Sequence, residues 1–228
     1  MKKKSDEENF SSRYRTESIT VTTERLTQDQ LKDDREEMSS EDNVLLTELF
    51  IQLNMRPHEI KSENDSYFAQ LNALRRKYPK NPSILNHLGP YYAHLGNDEK
   101  VEQIIIETYE KFPNYLFALT GIANLHVKNK KPEKFLETYG GKYTLKQLYP
   151  EREVFHLDEV RGFHHSFFQY YCAVGNMEKA KSQIDILTNI TTQLDREDDP
   201  ILHDMILHYE KYEAFDKLRR SLKVISAH

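Results

Sequence analysis

One feature constrains this chain more than any other. Lys77-Tyr78-Pro79 closes an amphipathic stretch, and 34 residues later Lys111-Phe112-Pro113 closes another. The same offset relates Leu85 to Leu119, Leu88 to Ile122 and Tyr92 to His126. A fixed period of this length marks a stacked array of supersecondary units, each too small to bury its apolar face alone. The punctuation within a period is helical. Asn81-Pro82 opens a helix, because proline at the first helical position sacrifices no intrahelical hydrogen bond and asparagine can cap the exposed N–H groups. Gly96 closes it in the left-handed conformation that a helix end favours, and Asn97 or Asp98 starts the next. The spacing therefore predicts a helix-turn-helix unit.

Composition agrees. Only 7 glycines and 8 prolines occur in 228 residues. That is too little raw material for glycine-rich phosphate loops or for the many tight turns of a large β-architecture. Lys and Arg number 32 against 37 Asp and Glu, a formal charge of −5. This opposes general attraction to nucleic acid or anionic lipid. One cysteine, Cys172, excludes an internal disulfide, and no apolar run approaches the roughly 20 residues that span a bilayer. A cytoplasmic protein is expected.

Residues 1–41 carry few large apolar side chains (Phe10, Tyr14, Ile19, Val21, Leu26, Leu31 and Met38) among many charges. That density predicts a mobile charged tail, the alternative being a stretch that docks on its own body or on a partner. Within it a short helix from Gln28 to about Met38 is expected, with Thr27 and Gln30 set as a capping pair. From residue 42 to 228 the chain reads as one helical domain. Leu46, Leu49, Phe50 and Leu53 share a helical face, as do Tyr67, Phe68, Leu71 and Leu74.

A unit begun at Pro82 places Leu85, Leu88-Gly89, Tyr92, Gly96, Val101, Ile105, Thr108 and Pro113 in a pattern that resembles the tetratricopeptide repeats. A second from Leu116 places Leu119, Ile122-Ala123, His126, Lys130, Phe135 and Tyr139 there. A third from Arg161 places His164, Phe167-Phe168, Tyr171, Gly175, Ala180, Ile184 and Leu187. Between the second and third, Ile122 and Phe167 stand 45 residues apart, so eleven are inserted. The insertion holds Leu145, Leu148, Tyr149, Val154, Phe155 and Leu157, too apolar for an open loop, and a packed turn or extra short helix is expected there. After Asp199-Pro200, a last amphipathic stretch runs through Ile201, Met205, Tyr209, Tyr212, Phe215, Leu218, Leu222 and Ile225. It can cap the end of the array.

The resemblance implies an all-α superhelix of stacked helix pairs whose first helices line a concave groove. The groove positions fall on Asn86, Pro90 and His94, then Thr120, Asn124 and Lys128, then His165 and Gln169. Members that grip a terminal carboxylate use two lysines, two asparagines and an arginine. The corresponding positions here are Asn86, Pro90, Gly121, Gly162 and Ser166, so that reading fails for want of cations. A polar, nearly uncharged groove suits a peptide or helix of another protein. A noncatalytic interaction module without cofactor, free to self-associate, is the expected class. The alternative is a metal-dependent hydrolase using His156, His164 and His165 with acids of the 140–160 insertion. No two histidines stand three or four residues apart, the spacing that would set two ligands on one helical face. Sequence signatures of phosphate loops, dinucleotide folds and serine hydrolases are absent. Cys172 reads as a packed small residue. The aromatic run Phe163, Phe167, Phe168, Tyr170 and Tyr171 reads as helix packing, since base-stacking platforms need a basic groove that this region lacks.

Overall fold

The computed structural model describes residues 13–15, 19–60, 62 and 65–225, with 13–15 and 216–225 described by backbone alone. Among the described residues the chain is mostly helical, as the low glycine and proline counts imply. In order, the elements are β1 (Arg13–Arg15), β2 (Thr20–Thr22), α1 (Gln28–Leu31), α2 (Ser40–Met55), α3 (Ser66–Lys77), α4 (Leu85–His94), α5 (Asp98–Lys111), α6 (Leu116–Lys128) and α7 (Glu133–Thr138). They continue with α8 (Leu145–Leu148), β3 (Val154–His156), α9 (Leu157–Ala173), α10 (Met177–Gln193) and α11 (Pro200–Ile225). Short 3-10 turns, Pro57–Glu59 and Pro82–Ile84, precede α3 and α4.

The helix ends are written in the sequence. Arg56, Tyr78, Phe112 and Tyr149 each precede a proline, and each ends its helix with φ between −126° and −135°. The pyrrolidine ring that follows clashes with a helical conformation at these residues. The two helix-turn-helix joints are alike atom for atom. Gly96 and Gly175 sit at φ +70° and +74°. The Asn97 amide donates to the Tyr92 carbonyl at 2.9 Å, and the Asn176 amide to the Tyr171 carbonyl at 2.8 Å. Asn97 and Asn176 then cap the following helix, each accepting at 3.1 Å from the amide three residues on. One tripartite device, a tyrosine four residues before a glycine that precedes an asparagine, thus builds both joints.

Thirty-four residues after Gly96, the equivalent position is Lys130, held at φ +57°. The left-handed conformation costs an ordinary L-residue about 1–2 kcal/mol. Glycine relieves this while giving back roughly 0.5–1 kcal/mol in unfolded-chain entropy. Lys130→Gly is expected to raise stability by up to about 1 kcal/mol, and Lys130→Val to lower it, in urea titrations.

The chain forms two compact units, one of Lys32–Asn129 and the other combining Met1–Leu31 with Lys130–His228.

In the 32–129 unit the core draws on Leu46, Leu49, Leu53, Tyr67, Leu71, Leu74, Leu88 and Tyr91. Phe50, expected on the buried face, is instead 53% exposed beside the His87 ring. Asp42 ties the first turn of α2 to the end of α3 through Lys77 and the Tyr78 hydroxyl.

In the other unit α9 and α10 form an antiparallel pair, against which the first turns of α11 bury Leu202 and Met205. The aromatic run on α9 is core, with Phe163, Phe167, Phe168 and Tyr171 all buried. α11 is one continuous helix, of which only the first turns are packed. Beyond Met205 no residue whose side chain is described is buried. The insertion is packed as expected, through α8, β3 and buried Leu145, Phe155 and Leu157.

Of the expected tail, residues 1–12 and 16–18 lie outside the described part, and residues 19–41 make the pairings and contacts that follow. β2 pairs antiparallel with β1 and parallel with β3, joining Val21 to Phe155 in register. Val21 is 0% and Thr22 1% exposed. Further on, Asn81 Nδ2 donates to the Glu36 carbonyl at 2.9 Å, the Ser39 amide donates to the Tyr78 hydroxyl at 3.1 Å, and the Arg35 guanidinium lies 5.1 Å from the Tyr115 ring centre. Few apolar residues suffice because each of these polar groups finds a partner on the body it reaches. The capping pair is present, with the Thr27 amide donating to Gln30 Oε1 at 2.8 Å, although α1 lasts only four residues.

Candidate functional site

The residues expected to face a partner lie on α4 and α6 in one unit and on α9 in the other. On α4, Asn86 is partly buried and donates through Nδ2 to the Tyr115 hydroxyl at 2.5 Å, linking α4 to the residue that precedes α6. Pro90 and His94 are exposed on the same helix. On α6, Lys128 is exposed and reaches Glu102 at 3.2 Å. Thr120 departs from expectation. It is buried at 6% exposure, and its hydroxyl donates to the Phe117 carbonyl of its own helix at 3.1 Å, so it offers nothing to a partner. The resemblance places Thr120 on the groove side of its helix, but the fold buries it.

Asn124 is the unusual member. It is partly buried, and its Oδ1 is sealed from solvent without a hydrogen-bond partner. A buried acceptor left unmade costs about 1–3 kcal/mol, so such atoms are rare in folded chains.

On α9, Gln169 Nε2 and His165 Nε2 lie 3.1 Å apart. Burial is the larger influence on His165 and lowers its pKa, and the neighbouring His208 of α11 acts in the same direction, while Asp204 opposes them. His164 points elsewhere, with Nδ1 2.9 Å from Gln183 Oε1 of α10, and burial likewise lowers its pKa. The adjacent histidines thus serve opposite neighbours. His156 is taken up in the start of α9. Among the described residues no three His, Cys, Asp or Glu side chains come together as a metal ion would require. The three histidines named for a hydrolase are each engaged separately. Burial pushes the Cys172 thiol up to about 11, leaving little thiolate at neutral pH.

Sequence reasoning missed one concavity. A cleft of about 650 Å3 in the unit joining both chain ends is lined by Thr23, His156, Asp158, Arg161, Asp199 and the 195–198 loop. It lies where α9 and α11 begin. Asp199 Oδ1 caps α11 by accepting from the Ile201 and Leu202 amides at 3.0 Å each, and its Oδ2 pairs with Arg161 at 2.6 Å. Arg161 also pairs with Asp158. Its cationic head is committed to fastening two helix starts together. The Asp199-Pro200 step signals a helix start in the sequence, but nothing local signals that Arg161 reaches it.

His156 has two settings here. As a neutral ring its Nδ1 accepts from the Asp158 amide at 3.1 Å, capping α9, while the His156 amide donates to Glu159 Oε2 at 3.0 Å. Protonated, Nδ1 turns donor toward Asp158 Oδ2, 3.3 Å away. In both settings Nε2 can donate to the Thr23 carbonyl at 3.3 Å. The Asp158 carboxylate raises the His156 pKa, with burial opposing. Burial works to raise Asp158, but His156 and Arg161 hold it down at about 2. A raised imidazole pKa favours the folded state below the unfolded value of about 6.5, and that contribution disappears as pH rises through the folded value. Asp158→Asn is expected to lower the His156 titration midpoint, followed by its ring-proton NMR shift, and to remove this gain in the pH 5–6 range.

Compared with family models, curated proteins and solved structures, the chain matches none.

Proposed function

We propose that this chain is a noncatalytic protein–protein interaction module of the tetratricopeptide-like kind. In this reading its helix pairs belong to an α–α superhelix, and the first helix of each pair presents polar side chains to an extended peptide or a helix of a partner protein. The matching joints at Tyr92–Asn97 and Tyr171–Asn176 support the repeat reading. The observation that carries the functional part is the Asn124 carbonyl oxygen. An acceptor kept without a donor is a cost in the free chain, and it becomes a gain once the amide turns to meet a partner's backbone N–H. In this reading Pro90, His94 and Lys128 contribute to the same contact, and Gln169 to one on its own unit.

Affinity purification with mass spectrometry tests the proposal, using wild-type protein and an Asn124→Ala, Gln169→Ala variant. The variant should lose a discrete protein captured by wild type while its thermal unfolding stays unchanged or shifts upward, because alanine removes the unmet acceptor. Equal capture by both proteins would remove the groove assignment.

A further inference from the structure

Residues 33–36 lie against the start of the helix pair that the proposed partner would meet. The chain is neither helix nor strand from Asp34 to Ser39, yet it is held as a bound peptide is held. Glu36 is gripped through both of its backbone groups. Its amide donates to the Lys80 carbonyl at 3.4 Å, and its carbonyl accepts from Asn81 Nδ2 at 2.9 Å. Main-chain bonds of this kind hold an irregular segment without regard to its sequence, and side-chain pockets beside them supply the selectivity.

The pocket here receives Arg35, whose side chain is only 13% exposed. Its guanidinium lies 5.1 Å from the centre of the Tyr115 ring, and Nη1 is 3.5 Å from the Ser83 hydroxyl. Nε and Nη2 donate to the Asp33 carboxylate at 2.8 and 2.5 Å. Arginine suits this position because its flat head can rest on a ring while its edge pairs with a carboxylate. Acid and base stand two residues apart on one segment, so they arrive together. Tyr115 is itself fixed by Asn86, a residue expected to face the partner, through the bond from Nδ2 to the phenol oxygen at 2.5 Å.

We propose that Ser83, Tyr115 and Asn81 form a seat for an arginine of the partner, carried on an extended segment with an acid two residues before it, and that residues 33–36 occupy this seat until such a segment displaces them. This rests on the reading that α4 and α6 meet a partner peptide. The tether is short, since the Ser39 amide is fixed to the Tyr78 hydroxyl at 3.1 Å. It presents Arg35 to its own seat at an effective concentration on the order of millimolar. Against a dissociation constant on the order of 100 µM for the untethered segment, the seat is filled from within about nine-tenths of the time.

Fluorescence anisotropy on the full chain, with a labelled peptide of residues 32–38 as probe, tests this. Protein carrying Arg35→Ala, which leaves the seat open, should bind the probe about tenfold more tightly than wild type. The same probe carrying Arg35→Ala should bind that protein at least tenfold more weakly. A probe carrying Arg35→Lys should fall between the two, because an ammonium cannot lie flat on the ring and offer two donors to Asp33. Tyr115→Leu in the open protein should abolish the gain, and the altered probes examine the same contact with the protein left unchanged. Equal binding of the probe by wild-type and Arg35→Ala protein would overturn the proposal. So would binding indifferent to the arginine, or none to the Arg35→Ala protein up to about 1 mM. Such a failure removes the arginine seat alone, since the groove assignment is read separately from capture by the Asn124→Ala, Gln169→Ala variant.

Discussion

Glu159→Ala is expected to lower the unfolding free energy of its unit by about 3–5 kcal/mol, read as a shift of the urea midpoint at constant slope. Arg152 and Glu159 are only 4% and 3% exposed, and the guanidinium makes a two-pronged contact with the carboxylate at 3.1 and 2.7 Å. Arg152 also lies over the Phe155 ring at 4.2 Å and that of Tyr149 at 5.4 Å. Glu159 Oε2 additionally takes the His156 amide, so it joins the pair to the start of α9. Truncating the acid leaves a buried cation without its counter-charge. The pair's own net contribution is small, because removing both charges from solvent offsets most of their attraction. Arg152→Met with Glu159→Leu should therefore recover much of the loss. Should Glu159→Ala cost under about 1 kcal/mol, the pair is open to water and the geometry described for it is wrong.

Phe167→Ala should cost a similar amount, about 3–5 kcal/mol, for a different reason. Phe167 is 1% exposed. Its ring meets Phe135 edge-on at 5.0 Å, Phe163 at 4.8 Å and Tyr139 at 5.1 Å. The Tyr139 hydroxyl is itself buried against Ser166 at 3.1 Å, and burial raises its pKa. Deleting the central ring leaves a void among stiff aromatic neighbours, which collapse poorly into it. Phe167→Leu should lose clearly less, and Tyr143→Ala, at a 48% exposed edge of the same cluster, should stay near 1 kcal/mol or below. Equal losses at Phe167 and Tyr143 would show that the cluster is not the core of this unit.

Much of the helical organisation was legible because its causes are local. A proline stops the residue before it, and a glycine after a helix turns the chain left-handed. Tyr78, Phe112, Gly96 and Gly175 therefore announce their roles within a few residues. Features with distant causes were hidden. The three-residue strand at Val21 has no periodicity to reveal it, and its partner Phe155 stands far along the chain. Nothing local marks Arg152 and Glu159 as a buried pair, because only the fold encloses them. An apolar stripe gives the same signal whether or not anything covers it. Tyr209, Tyr212 and Phe215 extend the pattern of Met205, yet the packing surface ends before them. The candidate site divides in the same way. The exposure of Pro90, His94 and Lys128 follows from helical phase, whereas the burial of Thr120 and the unmet Asn124 acceptor depend on what the neighbouring helices do.

The parallel pairing of β2 with β3 also fixes an order of events on the ribosome. Val21 leaves the exit tunnel 134 residues ahead of Phe155. At 5–20 residues per second that is a wait of roughly 7–27 s. The unit of Lys32–Asn129 is contiguous and can complete itself within that interval. The nascent β1–β2 pair meanwhile lacks β3 on its other edge, so a chaperone or the edge of another chain has its clearest opportunity then.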